Sequence, residues 1–286
     1  MRGALARIAR MLGFGDYRRV PWHLLRYQHT SAIQATMISG RGADELSPLT
    51  VRHRMAALRG VLTQAWKMGL MNAEDYQRAK STSPVQGTRL PPGRALPPDE
   101  LARIFAQVEA PGIRNARDGA ILALLCAGLR RFEVTLLDLS SFQDTEGRLR
   151  FIGKRNKERI VPLPPGSLRM VKRWLKYRGT EPGPLILPID QRGRAAMRRC
   201  CENVVPNVIA SIGDSAGVEN FSAHDFRRTL ISGLFDKNID IVTIAKLVGH
   251  KSTNTTAEYD RRKEDAMARA VDTVDVPSRF WEEDEE

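Results

Sequence analysis

The sequence predicts an α+β protein that is mainly helical. It has an all-α N-terminal domain and a larger mixed domain with one small antiparallel sheet. Three observations carry this expectation. Apolar residues recur at spacings of three and four through most of the 286 residues. One segment, residues 148–163 (RLRFIGKRNKERIVPL), replaces that period with two short β-prone runs. Residues 81–98 (STSPVQGTRLPPGRALPP) hold five prolines and two glycines and interrupt helical periodicity on both sides.

The elements follow in chain order. Residues 1–14 mix Arg2, Arg7 and Arg10 with Leu5, Ile8 and Leu12. That is an amphipathic helix, not a secretory signal with a continuous apolar stretch and a cleavage site. Ser47 is placed to cap a helix and Pro48 to open its first turn. Val51, Met55, Leu58, Leu62 and Trp66 then form a stripe expected to be buried, while Arg52, Arg54 and Arg59 fall off it as a solvated face. After the proline-rich connector, residues 116–127 are strongly apolar and end at Gly128, a C-terminal cap. Residues 149–152 and 160–163 read as the strands of a hairpin whose basic tip is residues 153–159. Helices are expected at 166–177, 194–212, 224–235 and 239–248, around Tyr259, and at 264–274. The implied organisation is a helical domain over 1–80, a linker over 81–98 and a second domain over 99–286.

Composition narrows the function. With 42% hydrophobic and 27% charged residues the chain can bury a core and is not disordered by composition. Lys and Arg number 45 against 33 for Asp and Glu, a net +12. Residues 282–286 are all acidic, and the rest of the chain carries +17. Residues 1–80 hold 13 Lys/Arg and 5 Asp/Glu, so the excess is concentrated there. Such a balance fits a polyanionic partner, an anionic membrane surface or simple solubility. There is no run of eighteen apolar residues to span a bilayer. Cys126, Cys200 and Cys201 form neither a disulfide framework nor a zinc spacing. The chain therefore reads as a reduced, soluble, cytoplasmic protein with no metal site.

Four short segments carry the chemistry: residues 128–133 (GLRRFE), residues 153–159 (GKRNKER), residues 224–227 (HDFR), and Gly249-His250 followed by Tyr259. Each alone has an ordinary explanation. An arginine at a helix end usually makes an ion pair, a basic hairpin tip is usually solvated, and a tyrosine is usually a core ring. In this order and spacing, however, they resemble the catalytic set of the tyrosine recombinase (phage integrase) family. The matching residues are Arg130 in AGLRRFEV, Lys154 in GKRNKERIVPLP, His224 and Arg227 in HDFRRT, His250 in LVGH, and Tyr259 in TTAEYDRR.

The resemblance implies a site-specific DNA recombinase that works through a covalent 3′-phosphotyrosine, without ATP, metal or cofactor. Arg130 and Arg227 are then the phosphate clamp, because a planar guanidinium binds two phosphate oxygens and keeps its charge. His224 and His250 add hydrogen bonds, with His224 favoured as the base. Tyr259 is the nucleophile, Lys154 the acid for the leaving 5′-oxygen, and Glu133 orients Arg130. The implied partner is double-stranded DNA, held in a C-shaped clamp of the two domains. The implied working species is a homotetramer on two duplexes, with residues 264–276 docking on a neighbour. Whether a second recombinase or a directionality factor takes part stays open.

The N-terminal region leaves no room for an extra arm-site-binding domain, which points to the short, Xer-like or simple-integrase type. Two departures are visible: Arg228 stands where many relatives have histidine, and Asp260-Arg261 follows the tyrosine where histidine is frequent. The alternatives are a type IB topoisomerase acting on one duplex and a catalytically silent DNA-binding protein of the same fold.

Overall fold

A computed structural model describes residues 1–40, 46–87, 93–153, 157–250, 252–257 and 259. The chain divides into two compact units, Met1–Pro91 and Pro92–Glu286.

The first unit is helical: α1 (Arg2–Met11), α2 (Tyr27–Ile38), α3 (Pro48–Lys67) and α4 (Ala73–Lys80). Its core gathers Ile8, Ile33, Val51, Met55, Leu58 and Leu62. Ser47 caps α3, its hydroxyl accepting from the Thr50 amide at 3.2 Å, and Pro48 occupies the first turn. Two expectations fail here. Trp66 does not continue the buried stripe; it is exposed and stacks on Tyr76, with ring centroids 4.9 Å apart. Nor are all the off-stripe arginines merely solvated. Arg52 donates to the carbonyls of Val85 (3.3 Å) and Gly87 (2.9 Å), and Arg59 to the Thr82 hydroxyl (3.0 Å). Gln34 donates to Ser83 O at 2.8 Å. Residues 82–87 therefore lie along α2 and α3, because an extended segment leaves carbonyls without backbone partners and Gln34, Arg52 and Arg59 supply donors.

The second unit contains α5 (Pro98–Ala106), α6 (Ile113–Cys126), α7 (Arg131–Leu136), α8 (Pro165–Arg178), α9 (Val204–Ala216), α10 (Ala223–Asp236), α11 (Ile241–Val248) and α12 (Thr253–Ala257). From Gly119 to Cys126 helix α6 is apolar on every side, as a central helix must be, and the helix packs against α8. Leu122, Leu124 and Leu125 are fully buried, each stabilising the fold by about 1.5–3 kcal/mol. Trp174 of α8 is buried against this core, with its indole N–H on Leu185 O at 2.8 Å. The start of the unit is tied to α10: the Arg94 amide donates to Asp225 Oδ1 (2.8 Å) and the Leu96 amide to Thr229 Oγ1 (2.7 Å).

The sheet is β1 (Phe142–Gln143), β2 (Arg148–Gly153) and β3 (Lys157–Pro162), antiparallel in the order β1-β2-β3. The β2–β3 ladder runs from Arg148 opposite Pro162 to Gly153 opposite Lys157. The strands are longer than the sequence suggested. Residues 157–159 belong to β3, not to the tip, because Leu149, Phe151, Arg159 and Val161 keep the alternation that faces the core. Helix α9 is shorter than expected and starts at Val204 instead of residue 194. Upstream, the Asp190 carboxylate accepts the Arg192 and Arg194 amides (both 2.9 Å) and Ile189 bridges Ala195, which makes a turn. Arg199 is held away from any helix by Thr135 O (2.9 Å) and Asp138 (2.6 Å). The helix expected at 264–274 lies outside the described residues. Among the described residues no helix is long and apolar enough to cross a membrane.

Candidate active site

Two helix ends build the site. Helix α6 closes in a Schellman turn: Gly128 has φ +87°, its amide donates to Leu125 O (2.9 Å), and the Leu129 amide donates to Leu124 O (3.2 Å). The positive φ favours glycine, and a Cβ there would stand 2.9 Å from a Leu230 methyl, which would have to shift. The chain leaves this turn with Arg130 as the N-cap of α7. Glu133, one turn on, accepts the Arg130 amide and its Nη1, each at 2.8 Å.

Helix α11 closes the same way. Gly249 has φ +66°, its amide donates to Lys246 O (3.1 Å), and the His250 amide donates to Ala245 O (2.9 Å). The last carbonyls of a helix lack intrahelical donors and carry partial negative charge. Here three successive ones are capped by arginines. Leu247 O accepts from Arg159 Nη2 at 3.0 Å, Val248 O from Arg227 Nη2, and Gly249 O from Arg130 Nη2 at 3.0 Å.

Helix α10 supplies the opposite wall. Ser222 and Asp225 cap it reciprocally: the Ser222 hydroxyl accepts the His224 amide (3.3 Å) and Asp225 accepts the Ser222 amide (2.9 Å). This places His224 in the first turn and Arg227 one turn later on the same face. Arg227 is 1% exposed, and its second Nη donates to Gly128 O. A single guanidinium thus joins the ends of α6 and α11.

Tyr259 follows α12 and is 6% exposed, packed with Ile231, Phe235 and Val248. Its hydroxyl lies 2.7 Å from His224 Nε2. Its ring is nearly parallel to that of His250 (25°, centroids 5.9 Å apart), and His250 Nδ1 is fixed 2.8 Å from Thr256 Oγ1. A groove of 930 Å³ opens beside these groups, lined by Arg130, Arg131, Ser222, His224 and Arg227 among others.

The electrostatics suit an anion. Burial, then the guanidiniums of Arg130 and Arg159, pull Arg227 down to about 9, so it stays charged at neutral pH. Burial and the same cationic surroundings hold His224 below its ordinary value and His250 at about 4. Both imidazoles are therefore neutral at pH 7 in the free protein. Burial raises the Glu133 carboxyl, but the Arg130 amide and the charges of Arg159 and Arg130 outweigh it, so it titrates below the usual range. Fixed cationic donors, a phenol and a neutral imidazole within reach of that phenol can together bind a phosphate and activate a hydroxyl against it.

The phage integrase family pattern matches residues 94–265. The tyrosine recombinase XerC of Pelobacter propionicus is 33% identical over 235 residues, covering 81% of this chain and 75% of its own length. The chain belongs to the phage integrase family. The XerC of Neisseria gonorrhoeae is 29% identical over 259 residues, covering 90% of this chain and 81% of its own. In three dimensions, the crystal structure of the XerH site-specific recombinase bound to a palindromic difH substrate matches with a TM-score of 0.66 at 21% identity, covering 95% of this chain and 76% of that one. The fold is that of the tyrosine recombinases, and the family and its Xer relatives support site-specific recombination as the activity of this enzyme.

In this tyrosine recombinase the structure brings Arg130, His224, Arg227, His250 and Tyr259 together. Lys154 lies outside the described residues, between Gly153 and Lys157, which form the last rung of the hairpin. Arg228, where the family pattern often has histidine, places its guanidinium carbon 5.1 Å from the Tyr259 ring centroid, a cation–π contact with the tyrosine. One residue was missed. Arg159 sits on β3 opposite Phe151, 11% exposed, with Nη1 on both Glu133 oxygens at 2.9 and 2.8 Å. Its signal was the period-2 alternation with Val161 and Leu163, masked by the basic residues around it.

The depressed His250 predicts a pH dependence. Above pH 6.5 the imidazole is neutral in both the folded and the unfolded chain. Between 6.5 and about 4 the unfolded chain takes up a proton that the folded one refuses, so stability falls as pH drops through that window. The thermal midpoint of the wild type is expected to fall more steeply over this range than that of His250→Asn. Equal slopes would show that another group controls the transition.

Proposed function

We propose that this recombinase cuts and rejoins DNA strands through a covalent 3′-phosphotyrosine at Tyr259. The observation that carries the reading is the 2.7 Å separation of the Tyr259 hydroxyl from His224 Nε2, beside the arginines gathered at the ends of α6 and α11. Neutral His224 takes the phenolic proton as the tyrosine oxygen attacks phosphorus. Arg130 and Arg227, with His250, stabilise the extra negative charge on the nonbridging oxygens, which is larger in the pentacoordinate state than in the ground state. The bond from phosphorus to the 5′-oxygen breaks, and Lys154 supplies the proton that the departing oxygen needs. Attack by a 5′-hydroxyl of another strand reverses these steps. The phosphodiester energy is held in the protein–DNA bond, so the proposed cycle requires neither ATP nor a metal.

Residues 1–80, with their positive excess, are the proposed core-site DNA-binding domain, residues 81–98 the linker and residues 99–286 the catalytic domain. Double-stranded DNA is the proposed partner, as in the XerH complex. A homotetramer on two duplexes is the proposed working species, since two exchanging duplexes present four strands to cut.

The test is to incubate the protein with DNA flanking its own gene, trap the product in denaturant and map the junction. The expected result is protein on a 3′-phosphate with a free 5′-hydroxyl. Protein on a 5′ end, or cleavage without an adduct, would overturn the reading. Lys154 has its own test. Lys154→Ala is expected to cleave ordinary DNA very slowly and to recover much of its rate on DNA with sulfur as the 5′-bridging atom, because a thiolate leaves without a proton. Lys157→Ala is expected to show a smaller defect that sulfur does not relieve. Rescue of neither variant would place the proton donor elsewhere.

A further inference from the structure

Arg159 carries contacts that no role assigned so far requires. Its Nη1 holds both oxygens of Glu133, which is 3% exposed, and its Nη2 holds Leu247 O. Glu133 in turn holds Arg130 through both its amide and its guanidinium, and Leu247 is three residues before His250. Arg159 lies on β3, two residues beyond Lys157, which pairs with Gly153 in the last described rung of the hairpin. One side chain on the hairpin therefore touches the supports of two separate groups of the site, Arg130 and His250.

The approach is also close. A Cβ on Gly249 would stand 2.7 Å from Arg159 Nε and 3.0 Å from its Cδ and Cζ, so the guanidinium lies flat against the turn that presents His250. The face of the guanidinium on the strand side is covered by Phe151, whose ring centroid is 5.5 Å away.

We infer that Arg159 is a positioning residue that locks strand β3, the Glu133–Arg130 pair and the α11 turn before His250 into one rigid unit. It acts through Arg130 and does not touch DNA. The inference rests on the reading of Arg130 as a phosphate arginine. A misplacement of about 1 Å in such a donor is enough to slow a reaction about 10²-fold. Lysine can keep a charge beside Glu133 but cannot span Glu133 and Leu247 with one planar fork.

The experiment is a double-mutant cycle on a nicked substrate that traps the cleaved intermediate, with half-site binding measured in parallel. Arg159→Met is expected to bind a half-site within about twofold of wild type and to cleave at least about tenfold more slowly at saturating DNA. Arg159→Lys is expected to fall between the two. Combined with Arg130→Lys, Arg159→Met is expected to add little further loss, because both changes remove the same placement. Losses that multiply in the double variant would overturn the inference, as would a defect confined to binding. If Arg159→Met does not fold, Arg159→Lys runs the same cycle with the buried carboxylate still partnered. Wild-type cleavage by Arg130→Lys alone would instead sink the reading of Arg130, and with it this inference, and that result is visible without any change at Arg159.

Discussion

Tyr259→Phe is expected to fold, bind DNA and form no covalent adduct. The substitution removes one hydroxyl and leaves the ring packed with Ile231, Phe235 and Val248 beside His250. The lost hydrogen bond to His224, 2.7 Å long in the wild type, costs about 1 kcal/mol of stability. The chemical loss is total, because phenylalanine has no atom that can attack phosphorus. Phenols titrate near 10, so the proton must leave during attack, and the depressed His224 is neutral and ready to receive it. Electrophoresis in denaturant after incubation with a trapping substrate reads the outcome directly. A surviving adduct in Tyr259→Phe would move the nucleophile to another residue.

Arg227→Met is expected to have the second largest effect, and its signature differs from that of Arg130→Met. Both should cleave at least about 10²–10³-fold more slowly, the usual loss when one donor to a developing oxyanion is removed. Arg130 bonds one main-chain carbonyl, Gly249 O, whereas Arg227 bonds two buried ones, at the ends of both α6 and α11. Without it Gly128 O and Val248 O lose their buried partner, and each unsatisfied group costs about 1–3 kcal/mol. The Arg130 side chain is 32% exposed, and Glu133 keeps Arg159 when it is gone. Urea titration should therefore show a much larger drop in midpoint for Arg227→Met than for Arg130→Met. Equal midpoints would mean that the carbonyl contacts of Arg227 do not hold the two turns together.

Much of this architecture was legible in the sequence, for identifiable reasons. The stripe from Val51 to Leu62 is pure helical periodicity, and Ser47-Pro48 marks its start through local chemistry alone. Gly128 marked a helix end, and its φ is positive as that role requires. Arg130, His224, Arg227, His250 and Tyr259 stood out through order and residue type, by resemblance to a family, and not through any local rule. What escaped depends on partners distant in sequence. Arg52 and Arg59 read as solvated until residues 82–87 lay beside them. The start of α9 was placed too early because Asp190 and Asp138 bind the preceding segment from outside any helical period. Arg159 looked like part of a basic tip because charge masks an inward-facing strand position, and its carboxylate partner is 26 residues away.

The three carbonyls at the end of α11 have a consequence for how this site tolerates change over generations. Every donor is a side chain, open to loss by one substitution. Every acceptor is main chain, so no replacement of Leu247 or Val248 deletes its oxygen. The half-buried Leu247 side chain is free to drift among residues that keep the helix, and a change at Val248 is limited by its packing against Tyr259 and not by the hydrogen bond, while the cage of guanidiniums keeps its anchorage. Gly249 is the exception, since a methyl group there strikes Arg159 and the φ of +66° strains any L side chain. Neutral variation should therefore be wider at Leu247, which is half-buried, than at Val248, whose side chain packs under Tyr259, and should stop abruptly at the glycine, where backbone geometry forbids a side chain.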